Sequence, residues 1–260
     1  MFEKEAKFAV EVAKNAGQIL LERFRKKHNI TFKGPVDLVT EADLASEKFI
    51  RKEIEKNFPA DSMHGEESGG SDFSKGRVWV FDPLDGTTNF AHGLPIFAVS
   101  IALCIDGMSK VGVVYQPLLK ECFSATEKGG AFLNGEPISV SHRAKISEAL
   151  AVTGFPYNTA SCINGIMPEL RKMIIQTRGV RRLGSAAMDL CYVAAGYFDI
   201  FWEIDLKPWD VAAGALIASE AGGKVSDYSG EPHSIDRKEI LATNSYLHEE
   251  VVKILKPVQS

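Results

Sequence analysis

The feature that most restricts the fold is a change of pattern near the middle of the chain. From Arg77 to Val140 the apolar residues come in short β-branched or aromatic runs: Arg77-Val78-Trp79-Val80-Phe81, Phe97 to Cys104, Val111 to Tyr115, Cys122 to Ala125 and Ala131 to Leu133. Asp106-Gly107, Gly129-Gly130 and Asn134-Gly135 stand between runs, and such pairs supply the positive φ that hairpin turns need. This stretch predicts an antiparallel meander. After Leu150-Ala151-Val152-Thr153 the runs alternate between strand and helix length. The pattern predicts a helix near 164–177, a strand at Val180 to Leu183 and a helix from Ser185 to Ala195. A strand at Phe198 to Glu203, a helix from Pro208 to Ala221, a strand near Ile240 to Ala242 and a last helix from about Ser245 to Leu255 follow. Pro208 as a first-turn proline and Gly222-Gly223 as terminator bracket their helix.

Ahead of the meander, Ala6, Ala9, Ala13, Ala16, Leu20 and Phe24 recur at helical spacing and predict an amphipathic helix over 2–27. A polar turn at Lys33-Gly34-Pro35 comes next. Thr40-Glu41-Ala42-Asp43 reads as a capping box that opens a helix to about Phe58, where Pro59 stops it. The reading is a single domain over 1–260, α+β in its first half and α/β in its second, with subdomains of about 1–145 and 146–260.

Composition narrows the function. A net charge of −4 lacks the basic surplus of a nucleic-acid binder, so no direct nucleic-acid binding is expected. Cys104, Cys122, Cys162 and Cys191 are scattered without metal-like spacing and read as reduced thiols. No run approaches the ~18 apolar residues of a membrane span, and the N-terminus lacks the form of a signal peptide. The expectation is a soluble cytoplasmic protein with no membrane partner.

Directly after the run ending at Phe81 comes Asp82-Pro83-Leu84-Asp85-Gly86-Thr87-Thr88-Asn89-Phe90. Two carboxylates on a Pro-fixed turn can converge on one point; Gly86 allows a sharp turn, and Thr87 can open a short helix whose free N–H groups face an anion. Carboxylate oxygens beside backbone donors suit a phosphate bridged to the protein through hard cations, as magnesium is usually bound. Gly65-Glu66-Glu67-Ser68, Asp43, Gly184-Ser185-Ala186-Ala187 and Trp209-Asp210-Val211-Ala212-Ala213-Gly214 each add an acid or small residues at an element boundary. Taken singly each has a bland reading: a helix-capping Asp, solvated loop glutamates, an Asp-Gly turn. His28, His64, His92, His142, His233 and His248 show no ligand spacing, and Trp79 and Trp209 read as core.

Jointly, these segments resemble the inositol monophosphatase family, and most closely its bacterial inositol-1-monophosphatases. The Asp82–Phe90 stretch matches the family's first signature, and Trp209–Gly214 followed by Glu220-Ala221-Gly222-Gly223 matches its second. Gly65–Ser68 and Asp37-Leu38-Val39-Thr40-Glu41-Ala42-Asp43 match two lesser motifs in the right order, so the resemblance spans the chain. It implies a layered αβαβα sandwich of the sugar-phosphatase type, commonly dimeric. It also implies metal binding by Glu66, Asp82, Asp85, Asp210 and the Leu84 carbonyl, with Glu67 in support. Asp43 and Thr87, with Glu66, would position the attacking water, and Gly86 and Thr87 would offer N–H groups to phosphate. Substrate contacts would come from Asp85, Gly184, Ser185, Ala186, Glu203 and Asp210, with Arg181 near the alcohol, while Arg182 faces solvent or a subunit contact. Two or three Mg²⁺ ions, with Mn²⁺ as a substitute, and lithium sensitivity belong to the same implication.

The expected activity is hydrolysis of a small phosphorylated polyol or sugar, inositol 1-phosphate first, by direct attack of a water that the cations make nucleophilic. The alternatives on the same fold are a fructose-1,6-bisphosphatase or a 3′-phosphoadenosine 5′-phosphate phosphatase. A histidinol phosphatase is a further relative. A different class of alternative is a regulatory partner of the transcription machinery.

Overall fold

The computed structural model describes residues 2–26, 30–32, 38–156 and 159–255. The turn expected at Lys33-Gly34-Pro35, His28 and the Asp37 end of its motif lie outside the described residues. The chain opens with α1 (Glu3–Arg23), the short strands β1 (Ile30–Phe32) and β2 (Leu38–Thr40), and α2 (Glu41–Asn57). Then come β3 (Ser62–Gly65), β4 (Gly69–Gly70), β5 (Arg77–Asp85), α3 (Thr87–Ala91), β6 (Ala98–Ile105), β7 (Met108–Gln116), β8 (Glu121–Thr126), β9 (Gly130–Leu133) and β10 (Glu136–Pro137). The second half holds β11 (Leu150–Thr153), α4 (Thr159–Gln176), β12 (Gly179–Arg181), α5 (Ala186–Ala194), β13 (Ile200–Ile204), α6 (Pro208–Glu220), β14 (Lys224–Ser226), β15 (Glu239–Thr243) and α7 (His248–Leu255).

β5 to β10 form the expected meander, and the eight-stranded sheet is completed at its other edge by β3 and β4. β3 lies parallel to β5 within the loop that carries Glu66, so part of the expected Gly- and Ser-rich loop is a strand. The second sheet has the order β12-β11-β13-β15-β14, with β11 parallel to both neighbours and β15 antiparallel to both.

Strand parity sorts the core into layers, because successive side chains leave a strand on opposite faces. On β5, Trp79 and Phe81 join the apolar residues of α1 and α2, while Val78 and Val80 join α5 and α6. On β13, Phe201 faces α5 and α6, and Ile200 and Trp202 face outward to Met173 of α4 and Val251 of α7. The result is a sandwich of α1 and α2, first sheet, α5 and α6, second sheet, α4 and α7. The helices themselves carry the same information. α1 buries one stripe (Ala9, Val12, Ala13, Ala16, Leu20), as an outer helix should. α6 buries Val211, Ala212, Ala213, Gly214, Ala215, Ile217 and Ala218, nearly its whole circumference, because a sheet lies on either side.

Several elements differ from expectation. α4 starts at Thr159 rather than near 164 and carries Pro168 inside it. β14 was not foreseen. The strand expected to end at Phe81 runs on to Asp85.

Candidate active site

The extension of β5 decides the geometry of the site. Asp82 pairs with Ser100 and Asp85 with Ala98, so three steps on β5 span two on β6, a bulge of one residue. In a regular strand Asp82 and Asp85 would leave on opposite faces. The extra residue turns Asp85 back to the side of Asp82, toward the N-termini of α5 and α6, while Leu84 is buried among the α1 and α2 residues. Bulges leave backbone groups unpaired, and here the sequence deals with them locally. Pro83 has no N–H to leave unpaired, its carbonyl accepts from the Ser46 hydroxyl at 2.9 Å, and the Leu84 N–H donates to Asp82 Oδ1 at 2.8 Å.

Gly86 follows at φ 90°, and a Cβ there would stand 3.0 Å from the Ile96 carbonyl and 3.2 Å from that of Gly184. Only glycine turns here and lets the β12–α5 loop approach. Asn89 of α3 pins that approach, its amide donating to the carbonyls of Leu183 at 2.8 Å and Ile96 at 2.9 Å.

Glu66, Asp82, Leu84, Asp85, Gly86, Thr87, Gly184, Ser185, Ala186, Glu203 and Asp210 line one cavity of about 490 Å³. The protein groups that hold the acids are specific. Asp85 Oδ2 accepts from the Ser185 hydroxyl at 2.6 Å and the Ala187 N–H at 2.8 Å, so it caps α5 from outside. Asp210 Oδ2 accepts from the Lys207 N–H at 2.7 Å in the first turn of α6. Asp43 stands behind the wall, accepting from the Thr40 hydroxyl at 2.6 Å, and reaches the cavity through Thr87, whose hydroxyl lies 3.0 Å from Asp43 Oδ1 and 2.9 Å from the Leu84 carbonyl. The neighbour Glu67 takes a different direction from Glu66. Its N–H and that of Ser68 donate to the buried Glu47 carboxylate of α2 at 2.9 and 3.1 Å. Glu47 thereby holds the peptide next to Glu66, a part the sequence did not reveal.

One expected contact is corrected. Arg181, the last residue of β12, is exposed, and its guanidinium turns back to the Val180 carbonyl at 3.1 Å. Arg182 lines the cavity instead, over the Phe155 ring at 5.9 Å. Arg182 is exposed as well, so it meets both solvent and the cavity.

The acids raise one another. Asp82 is pushed well above the usual carboxylate range by burial first, then by Glu66, Asp85 and Asp210. Burial lifts Asp85 to about 6 against the pull of Ser185, Ala187 and Arg182, and lifts Glu203 to about 8. Asp210 is raised by burial and then by Asp85.

Comparison with known proteins fits this geometry. The model of the inositol monophosphatase family matches residues 1–260. The chain belongs to that family. It is 42% identical to inositol monophosphatase 3 of Solanum lycopersicum, over 95% of this chain and 94% of the relative. It is 40% identical to the fructose-1,6-bisphosphatase/inositol-1-monophosphatase of Thermotoga maritima (96% and 95%) and to the Nus factor SuhB of Pseudomonas aeruginosa (96% and 94%). The solved structure of the inositol monophosphatase from Anabaena superposes with a TM-score of 0.90 at 40% identity, covering 98% of this chain and 96% of that one. As a member of the inositol monophosphatase family the chain is a phosphoric monoester hydrolase, of a metal-dependent family, on the expected αβαβα fold. Among the described residues no helix is long and apolar enough to cross a membrane.

The donor set fits a hard divalent cation. It is all oxygen, and jointly repelling carboxylates become tolerable as anions beside positive charge. Among the described residues no three His, Cys, Asp or Glu side chains already close around a single point. Asp82, Asp85 and Asp210 each commit an oxygen to a protein donor. Such a site suits an ion that completes its shell with water and substrate phosphate, as magnesium does.

Proposed function

We propose that this cavity hydrolyses the phosphate monoester of a small polyol, inositol 1-phosphate before others, with Mg²⁺ as the working cation and Mn²⁺ as a substitute. The observation that carries this reading is the convergence of Glu66, Asp82, Asp85 and Asp210 on one cavity with Gly86, Thr87 and Ser185. Glu66, Asp82, Asp85, Asp210 and the Leu84 carbonyl would hold two or three ions. Bound there, the cations would neutralise the ester dianion and make a water nucleophilic near neutral pH.

The chain's own groups handle the rest. The Thr87 hydroxyl has one proton and two acceptors in reach, the Leu84 carbonyl and Asp43 Oδ1. Asp43, raised by burial, can take the proton that Thr87 passes on when a water gives one up. Gly86 and Thr87 orient the phosphate, and Ser185 fixes Asp85, while Glu203, Gly184 and Ala186 face the alcohol. Attack by water needs no phosphorylated side chain.

A phosphatase panel tests this. With Mg²⁺, kcat/KM should be highest for inositol 1-phosphate over fructose 1,6-bisphosphate and 3′-phosphoadenosine 5′-phosphate; a preference for either bisphosphate overturns the substrate assignment. The second reading, fructose 1,6-bisphosphate, is favoured by Arg182 and Lys207 on the cavity wall, which could meet a second phosphate. A cytoplasmic homodimer belongs to the first reading, its compartment supported by the free thiols Cys104, Cys122 and Cys191 and its dimer tested by light scattering at twice the chain mass.

A further inference from the structure

Asp189 is a buried acid of the cavity with no part in the chemistry above. It sits in the first turns of α5, its backbone N–H donating to the Ser185 carbonyl at 2.9 Å. Its side chain is 1% exposed and lies on the cavity wall, and among the described residues neither carboxyl oxygen has a hydrogen-bond partner. Buried polar atoms are almost always partnered, and an orphaned carboxyl weakens a fold that Ala or Leu would serve better. Asp85, at the same helix end, shows the contrast, since Ser185 and Ala187 satisfy it. Asp189 is therefore kept for something that enters the cavity.

Its surroundings define that guest. Burial first, then the nearby Glu203 and Asp85, push Asp189 well above the usual carboxylate range, with Arg182 opposing. A carboxyl oxygen accepts a hydrogen bond in either protonation state, and a protonated carboxyl also donates one. A phosphate dianion only accepts and would meet acids on this wall, whereas an alcohol hydroxyl donates and accepts in the same way. Glu203 is on the wall too, its carboxyl filling the room beside Gly154, where a Cβ would lie 2.2 Å from Oε1.

We propose that Asp189 is a specificity-determining residue that exchanges hydrogen bonds with a hydroxyl of the substrate's polyol. This rests on the reading of the cavity as a polyol-phosphate phosphatase site. The test compares kcat/KM for inositol 1-phosphate and for p-nitrophenyl phosphate, which carries no alcohol hydroxyl, in the parent, Asp189→Leu and Asp189→Asn with Mg²⁺. The ratio of the two values should fall about tenfold in the Leu variant, and the amide of the Asn variant, which still donates and accepts, should restore most of it. If the Leu variant does not fold, Asp189→Ala removes the same polar atoms without added bulk. A ratio within about twofold of the parent in every variant, or an Asn variant that falls as far as Leu, overturns the role of Asp189. Failure of the parent to hydrolyse either ester overturns the phosphatase reading itself.

Discussion

Asp82 and Asp199 are both almost fully buried, at 2% and 0% exposure, and they are held in opposite ways. Asp199 precedes β13 and is surrounded by donors: the Ser141 hydroxyl, the Arg143 guanidinium at 3.1 Å, the Leu150 N–H at 2.7 Å and the Asn244 amide. It ties the segment leaving the first sheet to the end of the second. Asp82 is surrounded instead by other acids, with one backbone donor. A buried acid ringed by donors holds the fold, and one ringed by acids waits for a cation and a substrate.

Four measurements can break or sharpen this contrast. Asp82→Asn should lower kcat by on the order of 10³-fold, as loss of a key electrostatic group does, while the thermal midpoint holds or rises because repulsion is relieved. A large loss of stability in that variant would erase the distinction. Asp199→Ala should reverse the pattern, costing about 3 kcal/mol or more in urea unfolding by leaving Arg143, the Ser141 hydroxyl and the Leu150 N–H without their acceptor, with turnover per folded molecule retained.

The third concerns pH. His248, 1% exposed beside Thr243, is lowered by burial from 6.5 to about 4. The unfolded chain therefore takes up a proton that the folded chain refuses. Stability should drop as pH falls from 6.5 toward 4, by up to about 3 kcal/mol, and His248→Gln should remove that part of the drop. Asp85, raised to about 6, has the opposite sign: without cations it favours the fold as pH falls through 6 toward 3.8. A parent and a His248→Gln variant with identical pH profiles would rule the His248 contribution out. Smallest is Ser46→Ala, which removes the bond to the Pro83 carbonyl and should cost about 1 kcal/mol in unfolding experiments. A larger loss of activity than of stability there would mean that Ser46 shapes the bulge itself.

What the sequence revealed follows the range of the interactions. The cap at Thr40 and the first-turn proline Pro208 are local and legible, and so is the meander, whose turns announce themselves within a few residues. β3, β4 and β14 were not, because short stretches rich in Gly or polar residues become strands only through a neighbour to pair with. The Asp82–Asp85 pair was found by its motif, but the bulge that makes the spacing work was hidden. Asn89, Glu47, Arg182 and Asp189 act across 20 to more than 90 positions or by facing a cavity, and no local pattern marks them. Arg181 and Arg182 are adjacent at the end of β12, and no local pattern says which of them reaches the cavity.

The irregular step between Asp82 and Asp85 carries a lesson for protein engineering. Copying the two aspartates, at the same spacing, onto an evenly pleated sheet would send one of them to the wrong side. A transplant has to bring the kinked backbone, the proline that tolerates it and the serine that quiets its carbonyl, because the count of residues there fixes direction as firmly as their identity.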